Sequence, residues 1–573
     1  MQTTTSYDTS HRRTAVIDSR GNKTLSYGYS PGGLLNYLQD NDGNRTDYLY
    51  DSIGQLSGIW AANYDYVSFS YDPAGHLVEK MFSSGADSRS TYNPDNSLAS
   101  LTNKHGLTTL SSHVYSYDAL GNRSTQTETV GATLTNYAYG YDALNRLTQV
   151  QNGIPTQQEN YAYDPLGNRT TKSIGATTPS TTAYVYDSAN QLKEIRSGSA
   201  TGTLLASLTY DADGNLKNRS DTGLTLNYDA LNRLTATSQT GQLAQSYSYD
   251  DQGRRISKTI GTTTTNFLYN GADILAEYPA TWGLPSAQYT HGNRIDDTLI
   301  RATATSAQYF HQDGLGSIVG VTNPAGLTDA TQRFDAWGNK LASTGTAPRY
   351  GYTGREPDET GLIFYRARYY DPSVGRFTQR DPIGLRGGLN RYSYVANDPC
   401  NATDPSGEDW KTIVQVIGVA IGLLGNPNIN HDPNAPPIPP NASGSPPQGQ
   451  AIGMREPSLP QRFPPLPAEP TPATIPQPPS EATRTITLLM DGAGNVFIEI
   501  FGGIILSLIP GNIGQNDPCK LGSLCGPVTV FDPTSIFVPG TENGSFSYHG
   551  GGATVGGLGR ISMPAAPYSG NQK

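Results

Sequence analysis

The most regular feature of the chain is an alternation of aromatic and polar residues that repeatedly ends in a Tyr-Asp pair. In nine such pairs an apolar or aromatic residue stands two positions before the tyrosine, a spacing that puts both side chains on one face of a β-strand. The pairs are Tyr50-Asp51, Tyr71-Asp72, Tyr117-Asp118, Tyr141-Asp142, Tyr163-Asp164, Tyr186-Asp187, Tyr210-Asp211, Tyr228-Asp229 and Tyr249-Asp250. Each pair therefore closes a predicted strand that has one aromatic face.

Each predicted strand is followed by a turn signal. Three residues after every one of the nine aspartates stands Gly or Asn, the residue types that tolerate left-handed backbone. An aspartate at the start of a turn can accept a hydrogen bond from the backbone two residues further on. Each unit is thus predicted to consist of strand, turn and strand.

The units recur with a period that is typical of repeat architectures. Successive aspartates are 18 to 24 residues apart, except for one interval of 46 that Tyr92-Asn93 divides. A lone hairpin is marginally stable in water, whereas stacked hairpins cover each other's edges and aromatic faces. The sequence therefore predicts an all-β fold, a long antiparallel sheet with repeats over residues 1–270 and altered repeats over 271–350.

The chemistry of the repeats is interpreted as structural. The tyrosines are expected to pack along the sheet, and the alternative is that exposed rings bind carbohydrate or another cell-surface ligand. His311 has no Cys or second His at ligand spacing, so we expect a packed histidine beside a turn. No metal or cofactor is predicted.

Composition agrees with turn-rich β structure and excludes some functions. The 573 residues include 63 Gly and 36 Tyr, and only 15% are charged. A net charge of −10 gives no reason to expect nucleic acid as a partner, and three cysteines exclude a disulfide scaffold. The N-terminal MQTTTSYDTSHRRTAV lacks the apolar core of a signal peptide. We expect secretion or surface display by another route, or a cytoplasmic location before delivery.

A different pattern fills residues 351–407, the densest run of tyrosine, arginine, glycine and Asp-Pro turns in the chain. Its most distinctive stretches are TGL at 360–362, YRARYYDP at 365–372, GRF at 375–377, DPIGL at 381–385 and NDP at 397–399. These closely resemble the repeat-associated core of bacterial Rhs proteins, which are members of the YD-repeat superfamily. With the repeats, the resemblance covers roughly residues 40–407. It implies an Rhs/teneurin-like β-shell, although a repeat array as short as this one need not form a closed shell.

The resemblance also implies a function. The chain would be a shell or scaffold that encloses or displays a variable C-terminal effector domain in bacterial competition. Its own C-terminal domain would be the cargo, and an immunity protein would be a further partner.

Two Asp-Pro-x-Gly turns, at 381–384 and 404–407, carry the candidate catalytic chemistry. Paired carboxylates can share a proton, so that one acts as an acid and the other as a base, as an aspartic protease requires. In several Rhs proteins this pair resembles a self-cleaving aspartyl protease. By this resemblance, Asp381 and Asp404 would be the catalytic carboxylates and Arg368 would be the arginine that supports the site. The same motif is also an ordinary turn, which is the competing interpretation.

Glu408 departs from the family pattern. The family has leucine directly after the second motif, and its cleavage follows that leucine. An acidic residue in this place is expected to abolish cleavage or to shift it.

Composition changes after the second motif. Residues 408–481 combine an apolar segment with a proline-rich linker, and 482–573 are predicted to be a variable C-terminal domain. The apolar run 496–509 predicts a hairpin in a core, with a membrane-inserting hairpin as the alternative. No toxin motif is recognised, and this tail lacks the basic surface that is typical of nucleases.

Overall fold

The computed structural model describes residues 3–408 and, beyond them, only the backbone of five short strands. Thirty-two strands of the described part form one sheet. They are β1 Thr3–Tyr7, β2 Arg13–Asp18, β3 Lys23–Tyr29, β4 Leu35–Asp40, β5 Arg45–Tyr50, β6 Leu56–Trp60, β7 Tyr66–Tyr71, β8 Leu77–Phe82, β9 Ala86–Tyr92, β10 Leu98–His105, β11 Thr108–Tyr117, β12 Arg123–Val130, β13 Thr133–Tyr141, β14 Leu147–Gln151, β15 Glu159–Tyr163, β16 Arg169–Ile174, β17 Ser180–Tyr186, β18 Leu192–Ser197, β19 Leu204–Tyr210, β20 Leu216–Arg219, β21 Leu224–Tyr228, β22 Leu234–Ser238, β23 Gln245–Tyr249, β24 Arg255–Ile260, β25 Thr263–Asn270, β26 Asp273–Pro279, β27 Ala287–His291, β28 Thr298–Ala302, β29 Ala307–Gln312, β30 Ile318–Thr322, β31 Thr328–Phe334 and β32 Lys340–Gly345.

The sheet is a continuous antiparallel meander. Each strand pairs with the strand before it and the strand after it in the sequence. Within residues 3–408, β1 pairs only with β2 and β32 only with β31, so the sheet does not close. In the same range the only helical elements are 3-10 turns at Pro155–Gln157, Tyr352–Gly354, Gly384–Gly387 and Val395–Asn397. The prediction of an all-β antiparallel sheet is confirmed.

The turn chemistry is also as predicted. Asp51 Oδ1 accepts hydrogen bonds from the backbone N–H groups of Ile53, at 3.0 Å, and Gln55, at 2.8 Å. Gly54 has a φ of 84°, and Asn145, at the equivalent position of another unit, has a φ of 58°. All nine Gly and Asn positions that the sequence singled out have positive φ. The left-handed residue is therefore what reverses the chain in each unit.

The tyrosines hold neighbouring units together. The Tyr71 hydroxyl donates to the carbonyl oxygen of Leu56 at 2.9 Å, and that of Tyr163 donates to Leu147 at 2.6 Å. In each case the acceptor is the first residue of the preceding strand. The residue two positions earlier is buried, as Phe69 is. These rings serve packing, in agreement with the structural interpretation.

The sheet curls, so that strands far apart in sequence share one core. Ile59 and Val67 pack in the same buried cluster as Leu299 and Ile300. His311 is fully buried, and its Nε2 lies 3.0 Å from Thr322 Oγ1. The prediction of a packed histidine is confirmed.

Residues 351–407 form a compact insert against the sheet. Their strands are β33 Glu356–Pro357, β34 Ile363–Tyr365, β35 Arg368–Asp371 and β36 Arg376–Phe377, which make a separate four-stranded sheet. Phe364 and Tyr369 enter a buried cluster with Leu208 and Leu226 of the large sheet. Buried Arg255 of the large sheet pairs with Asp358 at 2.8 Å. Apolar packing and buried charge thus fix the insert in place.

The C-terminal segment is described only as backbone. Its strands are β37 Arg484–Thr485, β38 Thr487–Met490, β39 Val496–Ile500, β40 Gly503–Ser507 and β41 Ser562–Met563. β38 pairs antiparallel with β39 and β39 with β40, so these strands form a hairpin, and its burial in a core stays a prediction. The apolar segment 410–424 and the proline-rich linker lie outside the described residues. No helix in the described part of the chain has the length and hydropathy needed to cross a membrane.

Candidate functional site

The structure brings together the three residues that the sequence singled out. Arg368 lies on β35, and its Nη2 is 3.1 Å from Asp381 Oδ2 and 3.2 Å from Asp404 Oδ2. All three side chains are buried, Asp404 to 1% exposure. One guanidinium nitrogen therefore stands between two buried carboxylates.

Arg368 is fixed on every side. Its Nη1 donates to the carbonyl oxygen of Arg391 at 3.2 Å, and its Nε donates to the carbonyl oxygen of Gly407. The guanidinium carbon lies 3.6 Å from the ring centre of Phe377, which is cation–π geometry. Burial lowers the pKa of Arg368, and the carboxylates of Asp381 and Asp404 oppose that effect. The two carboxylates thus stabilise the buried positive charge of Arg368.

Local turns position both carboxylates. Asp381 Oδ1 accepts from the Ile383 N–H at 3.0 Å, so the first motif is an aspartate-capped turn. Asp404 Oδ1 accepts from the N–H groups of Gly407, at 2.9 Å, and Glu408, at 3.1 Å. Gly407 has a φ of 71°, and a Cβ there would lie 2.0 Å from the carbonyl oxygen of Tyr365. Only glycine fits this position.

Glu408 adds a third carboxylate to the site. It is half-buried, and burial followed by the charge of Asp381 raises its pKa, against the influence of Arg368. Three carboxylates therefore face one arginine. The departure from the family pattern has a physical consequence, because the third negative charge acts on the same cluster.

A cavity of about 400 Å³ adjoins the cluster. Pro382, Ser406 and Glu408 line one part of it, and Asp296 and Arg366 line another. The Arg366 Nη2 and Asp296 Oδ1 atoms are 2.7 Å apart, so these lining charges neutralise each other. The cavity is large enough for water to reach Glu408.

Some residues of the site were not found from the sequence. Phe377 belongs to the GRF stretch of the resemblance, but nothing in the sequence showed that it supports Arg368. A Cβ at Gly387 would lie 2.3 Å from Asp381 Oδ2, and no sequence signal indicated that contact. Over residues 3–408 no group of three or more His, Cys, Asp or Glu side chains could hold a metal ion.

Comparison with known proteins extends these observations. The teneurin YD-shell family model matches residues 96–399. The tRNA3(Ser)-specific nuclease WapA of Bacillus spizizenii is 32% identical over 272 residues, 45% of this chain and 11% of that protein. Double-stranded DNA deaminase toxin A of Burkholderia cenocepacia is 27% identical over 418 residues, 70% of this chain and 25% of that protein. The solved TcdB2-TccC3 structure matches at a TM-score of 0.57 and 19% identity, over 70% of this chain and 24% of that one, and it supports the fold alone. The chain thus spans no more than a quarter of the length of these proteins.

Proposed function

The chain belongs to the teneurin YD-shell family, and we propose that it is a shell-type scaffold that carries its own C-terminal segment as an effector cargo in bacterial competition. One observation carries the proposal. The insert 351–407 packs against the large sheet through a shared buried cluster, and Glu408 follows it as the first residue of the C-terminal segment. Relatives named as a nuclease and a deaminase toxin support an effector role for that segment. An immunity protein would then be its partner.

A second activity is favoured by the geometry of the carboxylates. We propose that Asp381, Asp404 and Arg368 form a self-cleaving aspartyl protease that releases the segment after residues 404–407. Asp381 and Asp404 meet at one guanidinium nitrogen, and paired carboxylates are the arrangement in which one group can act as an acid and the other as a base. Arg368 acts as a positioning residue that keeps both carboxylates in place.

Intact mass of the purified chain tests the protease. We expect the wild type to divide near residue 408, and Asp381→Asn and Asp404→Asn to stay whole. Asp187→Asn is the matched control, because Asp187 caps a repeat turn in the same way, with hydrogen bonds from Ala189 and Gln191, and should leave cleavage unchanged. A wild-type chain that remains whole while folded would exclude the protease.

Native size-exclusion chromatography tests the scaffold. After cleavage the two fragments should elute together and separate only in denaturant. If the C-terminal fragment separates under native conditions, the shell does not hold its cargo. If the protein is a scaffold that does not cleave itself, it should elute as a single chain. Limited digestion with an added protease should then remove the C-terminal segment.

A further inference from the structure

Two distant parts of the repeat sheet meet along a tight seam. The early wall of the seam is β8–β12, residues 77–130, and the late wall is residues 296–334, which include β28–β31. β11 contacts β30, and β12 contacts β31. A Cβ at Gly314 would lie 2.7 Å from the Tyr115 hydroxyl oxygen, and one at Gly320 would lie 2.6 Å from Leu110 Cδ2. These glycines let the two walls approach more closely than side chains would allow.

Polar contacts hold one part of the seam together. Lys80 Nζ donates to Asp297 Oδ1 at 2.7 Å, and Asn103 Nδ2 donates to the carbonyl oxygen of Gln312 at 2.9 Å. These bonds join residues that are 217 and 209 positions apart in the sequence. Beside them, an apolar cluster that includes Leu299 joins the late wall to β6–β8, and it has no charged member. The seam therefore has a polar part and an apolar part.

Two histidines lie in the polar part without a counter-charge. His113 on β11 and His311 on β29 are both 0% exposed. Neither ring nitrogen of His113 has a hydrogen-bond partner among the described residues. His311 Nε2 lies 3.0 Å from Thr322 Oγ1, and its Nδ1 lies 3.5 Å from Ser88 Oγ, so hydroxyl groups face this ring. Both rings are therefore neutral while the seam is closed.

We infer that the polar part of the seam is an acid-sensitive latch, in which the two walls separate when His113 and His311 take up protons. A protonated ring in the closed seam is a buried charge without a partner, and the entry of water on opening removes that penalty. The apolar part has no charged member, so it stays packed and serves as the hinge. This inference goes beyond the proposed scaffold and does not depend on self-cleavage.

The charged group that faces His311 is Lys80 of the early wall. Its ammonium disfavours a second positive charge, and its pair with Asp297 occupies the nearest carboxylate. Burial, followed by the charge of Lys80, lowers the pKa of His311 to about 3. In the open seam water reaches the ring, and its pKa returns to the ordinary value of about 6.5. Acid between these two values therefore favours the open seam.

His113 has more charged neighbours. Burial, followed by the charge of Arg123, lowers the pKa of His113 to about 3. Glu128 stands opposite His113 on β12 and pairs with Arg333 of the late wall at 3.2 Å. Burial raises the pKa of Glu128 and of Asp313, so these carboxyl groups take up protons more readily in the closed seam. They oppose the histidines, which means that the latch is tested by the contribution of each histidine.

Hydrogen exchange of the full chain, followed by mass spectrometry at pH 7 and pH 5.5, tests the latch. After correction for the intrinsic pH dependence of exchange, amides of β10–β12 and β29–β31 should lose protection, while those of β21–β24 keep it. Each histidine should raise the ratio of open to closed seam by roughly eightfold over this interval. Unchanged protection of the seam, or an equal loss in β21–β24, would overturn the inference.

Substitutions separate the histidines from other titrating groups. His113→Leu and His311→Gln should each lower the response of the seam to acid by roughly eightfold. His76→Asn is the matched control, because His76 is also buried but pairs with Asp72 of its own turn, with Nδ1 2.8 Å from Oδ2. It should leave the response unchanged. A folded histidine variant, verified by circular dichroism, that keeps the full response of the wild type would overturn the latch.

Discussion

The same aspartate turn occurs in two regions of this protein with different consequences. In the repeats, Asp142 Oδ1 accepts from the N–H groups of Leu144 and Arg146, and its Oδ2 pairs with the Arg146 side chain at 2.7 Å. In the insert, Asp404 caps its own turn, but its Oδ2 meets Arg368, which lies 36 residues away in sequence. Both aspartates cap their own turn. The arginine that pairs with Asp142 belongs to the same turn, whereas the arginine that pairs with Asp404 comes from β35.

This difference separates aspartates that stabilise a turn from the two aspartates of the candidate site. A repeat aspartate with an arginine four residues on, such as Asp142 with Arg146, has its counter-charge within its own turn. Two insert aspartates that depend on one distant, buried arginine are coupled, because a change in either one alters the charge that the other meets. The insert can therefore support acid–base chemistry where the repeats support folding.

Removal of the counter-charge should have the largest effect. Arg368→Ala would remove the counter-charge of two buried carboxylates, and we expect it to lower the free energy of unfolding by about 3–5 kcal/mol. Arg233→Ala is the control. It removes a partly exposed pair with Asp229 and a hydrogen bond to the carbonyl oxygen of Asp250, but it leaves no carboxylate fully buried, and it should cost about 1 kcal/mol or less. Urea unfolding measures both, and equal costs would remove the distinction between the two regions.

Acid should weaken the repeat sheet through its buried histidines. Burial lowers the pKa of His113 and of His311 to about 3, with smaller contributions from Arg123 and Lys80. In the folded protein these histidines stay neutral, whereas in the unfolded chain they bind a proton below about pH 6.5. The free energy of unfolding is therefore highest above about pH 6.5 and decreases as the pH falls toward about 3. Through the two residues together, the free energy of unfolding at pH 5.5 should be about 2.5 kcal/mol lower than at pH 7.

Urea unfolding at several pH values checks this expectation. His113→Leu should remove about half of the pH dependence, because it removes one of the two buried histidines. Both ring nitrogens of His113 lack a hydrogen-bond partner among the described residues, so the substitution breaks no hydrogen bond. His11→Asn should leave the pH dependence unchanged, since His11 is exposed and Asn tolerates its φ of 58°. An unaltered profile in the His113 variant would show that other groups control acid sensitivity.

The insert should respond to acid in the opposite direction. The raised pKa of Glu408 means that it gains a proton at a higher pH than an ordinary glutamate, and its negative charge then leaves the cluster. Self-cleavage should accelerate as the pH falls, and Glu408→Gln should accelerate it at pH 7, because the substitution removes the third negative charge from the cluster. The rate is measured by intact mass over time. Glu194→Gln, on the repeat surface, should have no effect, and a slower Glu408→Gln would contradict the expected repulsion.

Loss of one repeat hydroxyl should have the smallest effect. Tyr163→Phe removes the hydrogen bond to Leu147 and should cost about 0.5–1.5 kcal/mol of unfolding free energy. Tyr64→Phe should cost nothing measurable, because Tyr64 is 89% exposed. Thermal unfolding compares them, and equal midpoints would mean that these hydroxyls do not link the units.

Much of the repeat sheet could be predicted because its interactions are local. The strand ahead of Asp51 and the left-handed residue at Gly54 follow from neighbours a few residues away. The candidate site was predicted differently. Asp381, Asp404 and Arg368 were chosen through a family resemblance, since no periodicity connects them. The close approach of Gly387 to Asp381 was missed because it depends on how the chain folds back in the 3-10 turn after the first Asp-Pro-x-Gly motif.

The sequence by itself determined the all-β fold, the positions of the turns and the aromatic face, because each depends on backbone sterics and side-chain spacing within one unit. Only the tertiary structure decided that the sheet curls without closing, that Arg368 stands between two carboxylates, and that the Gly407–Glu408 bond lies between Arg368 and Asp404. These features depend on burial and on contacts between residues far apart in sequence. Such contacts change the energy of a charge far more than any neighbour along the chain.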